Sequence, residues 1–167
     1  MNSKKNIVLI GMPASGKSTV GVILAKILGM DFIDTDLVIQ QREDSLLNEI
    51  INDRGVEGFL KCEEDALLTV NSANTVIATG GSAVYSDSGM RHLSENGTII
   101  YLKVDKDKLF SRLHDINERG VVLRDGESPD EMYEERSVLY EKYAETVIDE
   151  GDSSIEETVR RIIDRQK

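Results

Sequence analysis

The sequence predicts an α/β sandwich around a parallel sheet, and three observations carry that expectation. Ile7-Val8-Leu9-Ile10 is a run of branched apolar residues too short for a helix and too apolar for a loop, so it reads as a strand buried on both faces. Further short apolar runs, Thr75-Val76-Ile77-Ala78 and Thr98-Ile99-Ile100-Tyr101-Leu102, alternate with stretches of helical periodicity, the pattern of βαβ units. A glycine-rich segment leads directly from the first strand into the first helix.

That segment, Gly11-Met12-Pro13-Ala14-Ser15-Gly16-Lys17-Ser18-Thr19, has the G-x-x-x-x-G-K-S spacing of a phosphate-binding loop. Successive backbone N–H groups must curl round an anion, which requires glycine where the chain turns tightly and nears the ligand, at Gly11 and Gly16. Lys17 is long enough to reach β- and γ-phosphates, the Ser18 hydroxyl suits Mg²⁺, and the helix starting here points its positive end at the anion. Ala14, Ser15 and Thr19 complete the expected nucleotide-binding set. Val20, Ile23, Leu24, Ile27 and Leu28 follow at one-sided helical spacing and Gly29 supplies the stop, so strand, loop and helix occur in the required order. Nucleotide binding follows.

With 167 residues, 40% of them hydrophobic, the chain suits one domain with a sizeable core, and no apolar run approaches the roughly 18 residues of a membrane span. A short polar start without an export signal makes the cytoplasm the expected compartment. Cys62 is the only cysteine, which excludes an internal disulfide, and it reads as an ordinary helix residue. The formal net charge of −11 repels nucleic acid and anionic lipid. The expected partner is therefore a small molecule rather than a polynucleotide or a membrane, and a monomer is expected.

Met30-Asp31-Phe32-Ile33-Asp34-Thr35-Asp36 reads as a short strand ending in two carboxylates. Alternation would put Asp34 and Asp36 on one side, beyond the strand's carboxyl end and beside the phosphate loop, one near a metal and one near an acceptor hydroxyl. Alternatively, one of them caps the next helix. From Leu37 to about Val70 the chain reads as helix, broken near Asp44-Ser45 and near Asp53-Arg54-Gly55. In its later part Phe59, Leu60, Ala66, Leu67 and Val70 form an apolar stripe with Glu63 inside it, which is either a buried ion pair or a group facing a cavity. Thr79-Gly80-Gly81-Ser82 is either an ordinary tight turn or a place where backbone N–H groups approach something small.

Residues 86–94 read as a weak helix, and residues 105–117 as a helix with Leu109, Phe110 and Leu113 inward and Arg112 near its end. The polar, aperiodic stretch 114–128, holding Arg119 and Arg124, is a cationic lid or a solvated connector. His92 and His114 have no partner at metal-site spacing. Ser128-Pro129-Asp130-Glu131 is a capping box with proline in the first turn, opening a helix whose apolar face carries Met132, Leu139, Tyr140, Tyr143 and, among them, Arg136. An always-charged guanidinium facing inward must meet an anion, either a ligand or Glu63. A last strand over residues 145–149 and a helix over 153–163, with Ile155, Val159, Ile162 and Ile163 inward, close the chain.

Taken in order, Gly11 to Thr19, Asp34-Thr35-Asp36, Phe59 with Glu63, Thr79-Gly80-Gly81, Arg112 before Arg119, and Arg136-x-x-x-Tyr140 resemble the shikimate kinase family, within the nucleoside-monophosphate-kinase-like P-loop group, over nearly the whole chain. The resemblance implies a three-layer sandwich with a five-stranded parallel sheet in the order 2-3-1-4-5, and transfer of the ATP γ-phosphate to a ring hydroxyl of shikimate. It implies that Lys17 and Arg119 steady the transferring phosphoryl group, that Ser18 and Asp34 serve Mg²⁺, and that Asp36 orients and deprotonates the acceptor hydroxyl. Arg112 would lie against the adenine; Glu63, Gly80, Gly81 and Arg136 would hold the acceptor. Residues 1–167 would form one kinase domain, with acceptor-binding helices over about 36–71 and a lid over about 114–128.

Four positions depart from the family pattern: Leu60 stands for an arginine, Ser82 for the third glycine of the turn, Gly120 for the proline after the lid arginine, and Gln40 for a glutamate. In the family that arginine joins Arg136 in gripping the substrate carboxylate. Leu60 therefore leaves room for another hydroxylated acid or a polyol, such as gluconate, as acceptor. A nucleotide-binding regulator without turnover is the remaining reading, and the joint presence of Lys17, Asp34, Asp36 and Arg119 speaks against it.

Overall fold

Every residue of β1 (Asn6–Ile10) is buried because the strand runs through the middle of a five-stranded parallel sheet of order β2-β3-β1-β4-β5, as the family resemblance implied. The computed structural model describes residues 5–113 and 121–167. The other strands are β2 (Asp31–Asp34), β3 (Thr75–Ala78), β4 (Gly97–Lys103) and β5 (Thr146–Asp149), and β1 pairs in parallel with β3 on one side and β4 on the other. Asn6 sets the start of this register: its side-chain amide donates to the Ser72 carbonyl at 2.7 Å and accepts from the Thr75 N–H at 3.0 Å.

Strand alternation splits the core into two layers. Ile7 and Leu9 pack with Val20 and Leu24 of α1 (Lys17–Leu28) and with Val159 and Ile162 of α7 (Ile155–Arg165). Val8 and Ile10 face the opposite layer, built from α3 (Leu47–Thr69), α4 (Asp87–Glu95), α5 (Lys106–Arg112) and α6 (Pro129–Tyr143). Each of these β1 side chains contributes about 1.5–3 kcal/mol by leaving water. A smaller cluster of Ile39, Ile50, Phe59, Cys62, Ala66 and Val122 ties α2 (Thr35–Glu43) to α3. Among the described residues no helix is long and apolar enough to cross a membrane.

The boundaries set by local chemistry stand where the sequence puts them. Gly29 closes α1 in the left-handed region at φ 65°, Asp44 closes α2 at φ 49°, and Gly55 interrupts α3 at φ 70°. Ser128 and Glu131 form the reciprocal capping box at the start of α6, with Pro129 in the first turn. Gln40 accepts from the Leu47 N–H at 3.2 Å, so the departure at this position helps to start α3.

Four expectations need correction. β2 ends at Asp34, and Asp36 lies in the first turn of α2, so a helix and not strand alternation sets its direction. Ile27 is 59% exposed: Gly21 lets α1 lean on Phe32, so close that a Cβ there would stand 2.7 Å from the ring, and this turns Gly21 and Ala25 inward in its place. Ile155 is 41% exposed because it opens α7, whose inner face is Thr158, Val159 and Ile162. α5 stops at Arg112, and residues 114–117 of the expected helix lie outside the described residues.

Candidate active site

The loop after β1 is shaped for an anion. Gly11 (φ 151°) and Gly16 (φ 88°) take backbone conformations that favour glycine, and a Cβ on Gly11 would stand 2.7 Å from the Leu102 carbonyl oxygen. Gly16 caps α1 with no side-chain acceptor, and no acidic residue sits in the first turn, so the leading N–H groups of the helix are left for a ligand. Ala14 adopts φ 62°, and Ser15 is buried with its N–H on the Met12 carbonyl at 3.1 Å. Lys17 is buried, and its ammonium donates to the Gly11 and Met12 carbonyls at 2.8 and 2.7 Å, which holds the charge inside the loop. Burial lowers its pKa to about 8 against the opposing pull of Asp36 and Asp34.

Ser18 and Thr19 are exposed at the mouth of a cavity of about 290 Å³. Ser18 Oγ donates to Asp34 Oδ2 at 2.6 Å, while Asp34 Oδ1 accepts from the Asp36 N–H at 3.0 Å. The capping reading holds for Asp34, which caps α2 with one oxygen and turns the other to Ser18. A hydroxyl and one carboxylate oxygen side by side, open to solvent, fit Mg²⁺, which takes one or two protein oxygens and completes its octahedron with water and phosphate. Among the described residues no cluster of three or more His, Cys, Asp or Glu forms a dedicated metal cage.

The same cavity is also lined by Asp36, Gly80, Gly81 and Arg136. Gly80 donates its N–H to Thr35 Oγ1 at 3.3 Å, and a Cβ on it would stand 2.5 Å from Asp36 Oδ1 and 2.9 Å from Glu63 Oε2. A Cβ on Gly81 would stand 2.6 Å from Pro13. The paired glycines are thus a close-approach site between two acids and the phosphate loop, and the Tyr140 hydroxyl donates to the Gly81 carbonyl to hold it there. Burial, with Asp34 adding to it, raises the Asp36 pKa to about 6.

Glu63 and Arg136 are both 1% exposed, yet no ion pair joins them among the described residues. Ser82, the departure at the third turn position, donates to Glu63 Oε1 at 2.6 Å, and burial raises the Glu63 pKa to about 7. Arg136 donates through Nη2 to the Val122 carbonyl, and its Nε has no partner among the described residues. A buried guanidinium cannot shed its charge and is stabilised by an anion.

Arg112 donates to the Ala14 carbonyl at 3.2 Å and lies 3.7 Å from Glu150. Glu150, just past β5, was not singled out from the sequence; it is buried 4.0 Å from where a Gly16 Cβ would sit, and burial raises its pKa. Thr35, Val121 and Val122 were also missed. Val121 and Val122, apolar residues inside a polar stretch, are buried against the cavity, a signal the overall polarity of residues 114–128 masks. Arg119 and Gly120 lie outside the described residues, as does His114. Cys62 is buried and accepts from Arg54 Nη1 at 2.9 Å, and His92 Nε2 is 2.7 Å from the Val70 carbonyl, a structural tie.

The family model described as shikimate kinase matches residues 13–167. This chain belongs to the shikimate kinase family. The shikimate kinase of Histophilus somni is 37% identical over 98% of this chain and 96% of its own length. The solved shikimate kinase from Acinetobacter baumannii in complex with shikimate superposes with a TM-score of 0.85 at 25% identity, over 98% of this chain and 93% of that one. Shikimate kinase from Aquifex aeolicus gives 0.80 at 30% identity, over 95% and 94%. Shikimate kinases are phosphotransferases with an alcohol acceptor and use ATP with Mg²⁺.

Proposed function

We propose that this chain transfers the γ-phosphoryl group of ATP to a ring hydroxyl of shikimate, giving shikimate 3-phosphate and ADP. The observation that carries the reading is one cavity lined by the phosphate loop and Lys17, by a carboxylate base, Asp36, and by a buried Arg136 whose Nε has no partner among the described residues. An acceptor with both a hydroxyl and a carboxylate satisfies both Asp36 and Arg136. The shikimate-bound Acinetobacter relative supports the same acceptor.

In this mechanism Gly11, Ala14, Ser15, Gly16, Ser18 and Thr19 cradle the phosphates, and Arg112 flanks the nucleotide from the Ala14 side of the loop. Ser18 and Asp34 would hold Mg²⁺, which when bound would screen phosphate charge. Lys17 exchanges its carbonyl partners for phosphoryl oxygens and stabilises charge that grows in the transition state. Asp36, with a pKa of about 6, is mostly ionised at neutral pH yet more basic than a free aspartate, and takes the hydroxyl proton as the oxygen attacks. Gly80 and Gly81 bring the backbone against the acceptor, and Arg136 with Glu63 orients it, so most of the rate comes from positioning. Family resemblance adds Arg119 at the transferring phosphoryl group. The same reading has residues 1–167 as one kinase domain, with acceptor helices over about 36–71 and a lid over about 114–128, working as a monomer in the cytoplasm; the net charge of −11 disfavours nucleic acid.

ADP release measured with shikimate, quinate, gluconate and neutral polyols tests the assignment. Shikimate is expected to give the highest kcat/KM. Turnover with another compound and none with shikimate would overturn it, and no turnover with any would favour a regulator.

A further inference from the structure

A second cavity, of about 320 Å³, lies against the first and shares Ser82 with it; its lining includes Leu60, Lys61, Glu63, Tyr85 and Arg124. The Tyr85 ring lies within reach of two guanidiniums, with Arg124 Cζ 4.8 Å and Arg136 Cζ 5.3 Å from its centroid. Two cations converge on one ring from different segments of the chain, and Arg136 has no carboxylate partner among the described residues. We infer that Arg124 is the second cation of the acceptor-carboxylate site, with Tyr85 as the platform that aligns it with Arg136. This rests on the acceptor reading above and names the specificity-determining residue within it.

The remaining candidates in this cavity are weaker. Leu60 carries no charge. Lys61 is 68% exposed and paired with Asp65 at 2.8 Å along its own helix. Glu64 is engaged with Ser86 and Ser88 at 2.6 and 2.9 Å, and as an acid it repels an anion from that side. What remains is Arg124, which lines this cavity while Arg136 lines the adjoining one, both within reach of Tyr85.

Arg124 is also built to switch partners. Its backbone is fixed by a closed turn, its N–H on Glu127 Oε2 at 3.0 Å and its carbonyl taking the Glu127 N–H at 2.9 Å. Its guanidinium, by contrast, lies over Tyr85 and, among the described residues, pairs with a single carboxylate, Glu135 at 2.8 Å, the two side chains being 47% and 42% exposed. An exposed pair of this kind is weak, whereas a carboxylate delivered into a partly desolvated cleft and bound by two guanidiniums is held more strongly.

The test compares shikimate with its uncharged methyl ester, in wild type, Arg124→Leu and Arg124→Lys. Arg124→Leu should raise KM for shikimate by about 10- to 100-fold, with kcat and the KM for ATP nearly unchanged. It should leave KM for the ester within about twofold, and Arg124→Lys should recover part of the loss, because a point charge lacks the bidentate fork. An unchanged KM for shikimate in Arg124→Leu, or equal losses on acid and ester, overturns the assignment, the second outcome marking a purely structural role. Wild-type turnover of shikimate separates this from the acceptor reading: with it, failure of the variant sinks the inference alone, and without it both fall.

Discussion

Replacing Gly80 with alanine asks whether the acceptor wall is as tightly built as the distances indicate. The added Cβ would stand 2.5 Å from Asp36 Oδ1 and 2.9 Å from Glu63 Oε2. Ordinary contact begins near 3.4 Å, so Asp36 has to retreat by about 0.9 Å or Gly80 has to move away by a similar distance. Overpacking of this size costs about 1–3 kcal/mol of stability. The kinetic cost is larger in proportion, because displacing a base by about 1 Å from its line of attack lowers kcat by about a hundredfold. Nucleotide binding should persist, since it is Gly81 and not Gly80 that touches Pro13 of the phosphate loop. A coupled ADP-release assay gives kcat, and titration with a fluorescent ADP analogue gives nucleotide affinity. A Gly80→Ala protein with kcat within about threefold of wild type would refute the idea that Asp36 acts from the position Gly80 leaves for it.

Asp36→Asn should lower kcat by about 10²- to 10⁴-fold while nucleotide affinity stays the same, read by the same two assays. The pH profile of kcat/KM should rise through about pH 6 as Asp36 loses its proton and fall above about pH 8 as Lys17 loses its charge; a profile flat from pH 5 to 9 would contradict both roles. Glu63, raised from 4.5 to about 7, leaves the folded ligand-free chain with more bound protons than the unfolded chain between those values. Stability should therefore fall as pH rises through that window, by at most about 3 kcal/mol, and Glu63→Gln should flatten the slope in urea denaturation at pH 5 and pH 8. Ser82→Gly, which restores the family glycine, removes the donor from Glu63 Oε1 and should cost about 1–3 kcal/mol, seen as a Tm lower by several degrees.

The phosphate-loop half of the site was legible in sequence because its chemistry is local. Gly11, Gly16, Lys17 and Ser18 work through backbone angles and helix-end N–H groups a few residues apart, so spacing alone describes them. The acceptor half was legible only as a set of residues needing partners. Glu63 and Arg136 were recognised as charges on apolar faces, but pairing them with each other was as reasonable as turning both toward a ligand. Asp36 was placed near the loop for the wrong local reason, since a helical first turn and not a strand end directs it.

By itself the sequence determined the strand, loop and helix order, the stops at Gly29 and Asp44, the capping box at Ser128, and that two buried ionisable groups would need company. These are decided by neighbours within about one helical turn or one strand pair, where propensity and capping act. Only the tertiary structure decided the rest. Gly80 meets Thr35 across 45 residues of chain, Ser82 meets Glu63 across 19, and Arg124 and Arg136 converge on Tyr85 from a different element. Which partner a buried charge finds depends on which elements the packed sheet brings together, and no short-range pattern encodes that meeting.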